Sequence, residues 1–148
     1  MEIDSSSLNS KLKEFFGFDS FKGDQERIIR NLLDGKDTFV LMPTGGGKSL
    51  CYELPALLLP GLTLVVSPLI SLMKDQVAAL KSAGVPAAYI NSSLTGEQIR
   101  TVYARTRKGA YKLIYVAPER LETNSFLSLM QEMDVSFLAV DEAHCISQ

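Results

Sequence analysis

The sequence predicts an α/β domain: a parallel sheet with helices on both faces. Two observations carry this. Short apolar runs rich in β-branched and aromatic residues recur along the chain, separated by helix-length segments. Strands that alternate with helices join through crossovers into a parallel sheet. The runs are also continuous rather than alternating in polarity, which suits strands covered on both faces.

The elements follow in order. Residues 1–7 read as a loose polar lead. Leu8, Leu12, Phe15 and Phe16 then fall at helical spacing, and Gly17 ends that helix. A second helix starts at Asp24, a residue type suited to the N-cap. It runs to Leu33 with Ile28, Ile29, Leu32 and Leu33 as its buried stripe, and Gly35 closes it. Strands are expected at Thr38–Met42, Leu62–Ser67, Ala88–Asn91, Leu113–Ala117 and Phe137–Asp141. Helices are expected near 48–59, 69–83, 95–108 and 124–133. In such sheets ligands bind at the carboxyl ends of the strands, so chemistry is sought there.

Composition excludes several classes. Of 148 residues, 46% are hydrophobic and 22% charged, as in a soluble globular domain and unlike a disordered chain. The net charge of −2 provides no global positive field, so a nucleic acid would have to be held by local contacts. Cys51 and Cys145 are too few for a disulfide framework, and a reduced, cytoplasmic compartment fits best. The opening Met1-Glu2-Ile3-Asp4-Ser5 is acidic and lacks the apolar centre of a signal peptide. The longest apolar stretch, Leu54 to Val66, is interrupted by Pro55, Pro60 and Gly61. No run approaches the ~20 residues needed to cross a bilayer, and no membrane partner is expected. One histidine and two distant cysteines cannot build a zinc site. Cys51 reads as packing, and the scattered methionines as core filler.

The first expected strand runs into Met42-Pro43-Thr44-Gly45-Gly46-Gly47-Lys48-Ser49. The glycines let successive backbone N–H groups turn inward and form an anion nest. A helix starting at Lys48 adds its positive end. Lys48 can reach β- and γ-phosphate oxygens, and the Ser49 hydroxyl can ligate Mg²⁺. Met42 stands where the general P-loop pattern has its first glycine, although strand, loop and helix follow in the required order. The alternative is a flexible glycine turn with a solvated lysine.

Phe137-Leu138-Ala139-Val140-Asp141-Glu142 is an apolar strand ending in two carboxylates. A buried acidic pair is costly unless a cation is near. With Mg²⁺ present, Asp141 can hold the metal through water, and Glu142 can orient and deprotonate an attacking water. Alone such a pair is usually an exposed turn; the upstream phosphate loop changes its meaning. His144, the only histidine, is a candidate coupling residue.

These residues resemble a known family. Asp141-Glu142-Ala143-His144 with the loop at 42–49 looks like a superfamily 2 helicase, and the match to RecQ DNA helicases is closer still. Leu12-Lys13-Glu14-Phe15-Phe16-Gly17-Phe18, Phe21-Lys22 and Gln25 resemble the RecQ adenine-recognition motif. Met42 to Tyr52, "MPTGGGKSLCY", resembles its Walker A motif, methionine included. Ser67 to Gln76 resembles motif Ia, Tyr115 to Leu121 motif Ib, and "DEAHCISQ" from Asp141 to Gln148 the Walker B motif. The resemblance covers residues 8–148.

It implies a P-loop NTPase, RecA-like lobe of three layers. Within 1–148, residues 1–36 would hold the N-terminal helices with the adenine motif, and 37–148 the Walker A to Walker B core. The ligands implied are ATP and Mg²⁺. Gln25 would read the adenine edge, with Phe18 and Lys22 packed near the base; the family often carries arginine where Lys22 stands. Residues 43–49 would hold the phosphates. Ser67, Pro68 and Leu69, with Pro118, Glu119 and Arg120, would lie on single-stranded DNA and meet its phosphates largely through backbone amides and hydroxyls. For 67–69 the alternative is an ordinary strand-to-helix loop capped by Ser67. The basic stretch from Arg100 to Lys112 could touch DNA, but reads better as a solvated helix face.

The resemblance also implies that the chain is a truncated, partial first lobe. Gln148 falls inside a family motif, and the second lobe with its arginine is required for hydrolysis. The parent would unwind DNA 3′–5′ at the expense of ATP, acting on single strands and duplex junctions in recombination and repair, nucleoid-associated in a bacterium. These 148 residues alone would bind nucleotide with little turnover. A motif III strand, expected after Gln148, would separate 38–42 from 137–141. The alternatives are an RNA-remodelling DEAH-type ATPase and a non-enzymatic nucleotide- or partner-binding domain.

Overall fold

The computed structural model describes residues 5–23, 25–34, 50–68 and 70–140. Within them the chain forms two compact units, residues 1–59 and 60–148.

The first unit holds three helices, α1 (Ser5–Phe16), α2 (Gln25–Leu33) and α3 (Leu50–Leu58). Each contributes an i,i+4 apolar pair to one core: Leu8 and Leu12, Ile29 and Leu33, Leu50 and Leu54. Residues four apart lie one above the other on a helix face, and each such side chain, fully buried, contributes about 1.5–3 kcal/mol. α1 begins at Ser5, inside the stretch expected to be a loose lead. Serines suit a first turn, whose backbone N–H groups lack helical partners. Gly17 follows α1 at φ +78°, as expected of a C-terminal stop. Pro55 lies inside α3 without ending it: the Leu59 N–H reaches the Pro55 carbonyl at 2.9 Å.

The second unit is a four-stranded parallel sheet of β1 (Leu62–Val66), β2 (Ala87–Ile90), β3 (Leu113–Val116) and β4 (Val135–Val140), in the order β2-β3-β1-β4. α4 (Ile70–Ser82) connects β1 to β2, and α5 (Gly96–Arg107) connects β2 to β3. A 3-10 turn (Pro118–Glu122) and α6 (Asn124–Glu132) lead from β3 to β4. β1 and β3 are buried at every residue, so continuous apolarity reports two covered faces there, whereas in β4 Leu138 and Val140 are exposed. On one face Leu62, Leu64, Val66, Ile90, Ile114 and Val116 pack with Tyr103 of α5 and with Phe126 and Leu129 of α6. Buried Met73, Val77 and Leu80 belong to α4 and lie outside that cluster.

Several boundaries differ from expectation: β1 ends at Val66 and β3 at Val116, each one residue early, and β2 opens at Ala87, one residue early. β2 closes at Ile90, leaving Asn91 beyond the strand. β4 opens at Val135, because Val135 pairs with Leu62. The 3-10 turn had no counterpart in the sequence reading. The strand Thr38–Met42 and its separation from 137–141, the cap at Asp24, the stop at Gly35 and the division at 36/37 lie outside the described residues. Among the described residues no helix is long and apolar enough to cross a membrane.

Candidate functional site

Parallel strands bring their carboxyl ends to one edge of the sheet. The ladder continues one residue past two of them: the Ala117 N–H donates to the Ile90 carbonyl and the Ser67 N–H to the Val116 carbonyl, both at 3.1 Å. Asn91, Ala117 and Ser67 therefore stand in a row on this rim, followed by Pro68 and Pro118 at the start of the next segments. The two stretches at 67–68 and 118–120, far apart in sequence, are brought to one edge by the strand order.

The row is built rigidly. Pro118, with its fixed φ, opens the 3-10 turn after an extended Ala117. The Arg120 N–H donates to the Ala117 carbonyl at 3.0 Å, and the Thr123 hydroxyl to the Arg120 carbonyl at 2.8 Å. Glu119 is exposed and Pro118 half-buried. Arg120 is half-buried; its Nη2 donates to the Tyr103 phenol oxygen at 3.2 Å, while its Nε is buried with no partner. Ser67 is 1% exposed, so its hydroxyl is not presented to solvent. Pro68 is half-buried and α4 follows at once. Leu69 lies outside the described residues.

Sequence reasoning missed two residues here. Asn91 is buried; its Oδ1 accepts from the Ser93 N–H at 2.8 Å and its Nδ2 contacts the Met73 sulfur at 3.3 Å. The signal was a polar residue closing an apolar run before Ser-Ser, the composition of an Asx turn. Tyr103 left no signal, because its partner is 17 residues away and only tertiary packing pairs them.

Apart from Arg100, in the second turn of α5, the basic stretch lies elsewhere. α5 leaves the carboxyl end of β2 and returns to the amino end of β3, so Arg105, Arg107, Lys108 and Lys112 sit toward the opposite edge. There the Lys112 N–H meets the Pro86 carbonyl at 2.8 Å, and Arg107 pairs with Glu132 at 2.9 Å. This placement agrees with a solvated face.

In the first unit, Gln25 opens α2 and is 5% exposed. Its Oε1 accepts the Lys22 N–H at 2.7 Å. A carboxamide oxygen carries two acceptor lone pairs, so that bond alone does not prevent a base contact. Phe18 is 51% exposed on the same loop, and Lys22 is exposed. An exposed aromatic ring can stack on a purine and a carboxamide can pair with its edge, so these residue types fit the adenine end of ATP, although the Gln25 side chain is buried. Pro43, Thr44, Gly45, Gly46, Gly47, Lys48, Ser49, Asp141, Glu142 and His144 lie outside the described residues. Among the described residues no group of three or more His, Cys, Asp or Glu could hold a metal. Cys51 is buried, and desolvation pushes its thiol up from 9.0 to about 11, which removes it as a nucleophile.

Residues 22–148 match the DEAD/DEAH box helicase family. The protein called ATP-dependent DNA helicase RecQ in Haemophilus influenzae is 52% identical over 146 residues, covering 99% of this chain and 24% of that one. That of Bacillus subtilis is 50% identical over 140 residues, 94% of this chain and 24% of its own. The chain thus spans about a quarter of the length of the curated relatives it matches. Among solved structures, a hypothetical ATP-dependent RNA helicase from Sulfolobus tokodaii shares the fold, with a TM-score of 0.73 at 22% identity over 97% of this chain and 43% of that one.

Proposed function

Because the chain belongs to the DEAD/DEAH box helicase family, we propose that it is the nucleotide-binding part of a RecQ-type, ATP-dependent 3′–5′ DNA helicase acting in recombination and repair. The observation that carries the reading is 52% identity over 146 residues to a protein called ATP-dependent DNA helicase RecQ. That span covers 99% of the chain.

Gln25 reads the adenine edge, while Phe18 and Lys22 pack against the base. The backbone from Pro43 to Gly47 cradles the phosphates, and Lys48 offsets charge that develops on them. Ser49 and Asp141 hold Mg²⁺, which when bound neutralises the β- and γ-phosphates. Glu142 orients the attacking water and takes its proton. His144 couples the nucleotide to the strand. Ser67, Pro68, Leu69, Pro118, Glu119 and Arg120 hold single-stranded DNA by its phosphates. Burial of the Ser67 side chain favours backbone amides for that contact. Contacts of this kind fix register without reading sequence, which suits a motor that moves along any strand.

Hydrolysis requires an arginine from a second RecA-like lobe, a contribution of about 10³–10⁵ in rate in related phosphoryl-transfer enzymes. The 148 residues alone should therefore bind ATP and hydrolyse it near background, with or without DNA. The deciding experiment measures phosphate release by the intact protein with single-stranded DNA, RNA or neither, and displacement of a strand from a 3′-tailed duplex. Stimulation by DNA and unwinding from the 3′ tail are expected. Equal stimulation by RNA, or none by either, overturns the reading.

A further inference from the structure

Arg120 is held in a way that its fold does not require. It is half-buried, and no carboxylate pairs with it among the described residues. Of its three nitrogens, Nη2 donates to the Tyr103 phenol at 3.2 Å and Nε is buried without a partner. That leaves Nη1 as the nitrogen open to solvent. A guanidinium buried for stability alone would have Nε paired, since an orphaned buried donor is costly and each one calls for a reason. The backbone around it is fixed independently by Ala117 and Thr123, so the pose is chosen at the side chain.

Tyr103 is well placed to choose it. The residue is 6% exposed and its ring belongs to the core formed with Ile90 and Val116. A packed tyrosine has few rotamers, so its oxygen is a stationary acceptor in front of a long, flexible arginine. The contact joins α5 to the turn that follows β3, at the carboxyl edge of the sheet.

We propose that Tyr103 is a positioning residue for strand binding: its phenol oxygen fixes the Arg120 guanidinium so that the open nitrogen meets a phosphate of the bound strand. The proposal rests on the reading that the 118–120 turn lies on single-stranded DNA. It goes beyond that reading by assigning the geometry of the contact to a residue that touches no strand. The recognition is for the phosphodiester backbone and not for a base, because one planar cation on a rigid turn offers no edge pattern.

The test uses the intact protein with wild type, Tyr103→Phe, Arg120→Ala and the double variant. Affinity for an unstructured oligothymidylate is measured across a salt series, alongside the thermal unfolding midpoint. Tyr103→Phe keeps the ring and its packing. It is expected to weaken strand binding roughly 10-fold, the range of one hydrogen bond to a charged group. It should also lower the salt slope by about 0.7, the signature of one lost phosphate contact on a single strand. Arg120→Ala should do the same, and adding Tyr103→Phe to it should change nothing further. A purely structural Tyr103 would move the unfolding midpoint and leave the salt slope alone.

Three results overturn the proposal. If Tyr103→Phe binds as tightly as wild type, or more tightly, while Arg120→Ala is weakened, then Arg120 lies on the strand and Tyr103 is packing only. The two losses must not be additive, since additivity places Tyr103 elsewhere. Unchanged binding by Arg120→Ala removes the contact to be positioned, whereas the helicase reading itself falls if DNA fails to stimulate hydrolysis or RNA stimulates it equally.

Discussion

Gly61 is where the sheet tolerates least. It precedes β1 at φ +85°, and a Cβ placed there would overlap the Asp134 carbonyl oxygen and come within 2.9 Å of the Ser136 hydroxyl. The same carbonyl accepts the Leu62 N–H at 2.8 Å, and the Ser136 hydroxyl donates to the Pro60 carbonyl. The β1–β4 register skips a residue here, Leu62 facing Val135 and Thr63 facing Phe137. The perturbation is Gly61→Ala, with Gly84→Ala as its control. Gly84 has nearly the same φ, +88°, but nothing within 4 Å of its Cβ position. Both substitutions carry the left-handed strain of about 1–2 kcal/mol, and both gain about 0.4–1 kcal/mol from a stiffer unfolded chain. These terms cancel in the comparison. Overpacking at Gly61 adds about 1–3 kcal/mol, and the disturbed Leu62–Asp134 bond adds about 1 kcal/mol. Gly61→Ala should thus be worse than Gly84→Ala by about 2–4 kcal/mol, roughly 30- to 700-fold in an opening equilibrium. Hydrogen exchange of β1 and β4 amides in the intact protein reads this directly. A difference under about 0.5 kcal/mol would refute the steric argument at the strand junction.

Other expectations follow from the site. Lys48→Ala in the intact protein should reduce DNA-stimulated ATP hydrolysis by about 10²–10³; more than half of wild-type turnover would remove Lys48 from the phosphate site. The intact protein should prefer ATP to GTP, since a carboxamide offers one donor and one acceptor to the adenine edge. Gln25→Ala should erode that preference, and equal use of both nucleotides by wild type would contradict the role. Cys51 should resist alkylation near pH 8 and become reactive only as pH rises toward about 11, followed by mass mapping of its peptide. Its raised value means that the unfolded thiol ionises first, so stability contributed by the neutral thiol is full below 9.0 and declines between 9.0 and about 11. Rapid modification of Cys51 at pH 7 would show that it is not buried.

How far the fold was legible differs from element to element. β1 and β3 could be placed from their own residues, because strands covered on both faces must be apolar throughout. The i,i+4 pairs Leu8–Leu12 and Ile29–Leu33 announced α1 and α2. The start of α1 at Ser5 was hidden because serine suits both a loose lead and a first helical turn. The start of β4 at Val135 was hidden because its partner is Leu62, remote in the chain. The tightening of the chain into a 3-10 turn at Pro118 was not anticipated.

For the site, the amino-acid sequence by itself carried the proposed chemistry. Residue type and spacing suggest a phosphate nest and a metal-holding acidic pair, because these functions depend on local backbone and on atoms within a few residues, and the resemblance to RecQ helicases adds a carboxamide proposed for adenine. Tertiary structure alone decided the order β2-β3-β1-β4, which sets Asn91, Ala117 and Ser67 side by side. It also decided that the Ser67 side chain turns inward, that the cations at the end of α5 lie away from the rim, and that Arg120 rests on Tyr103. The reason is physical: a hydrogen-bond partner or a covered face supplied from another part of the chain leaves no periodicity in the sequence, and exists only once the strands have paired.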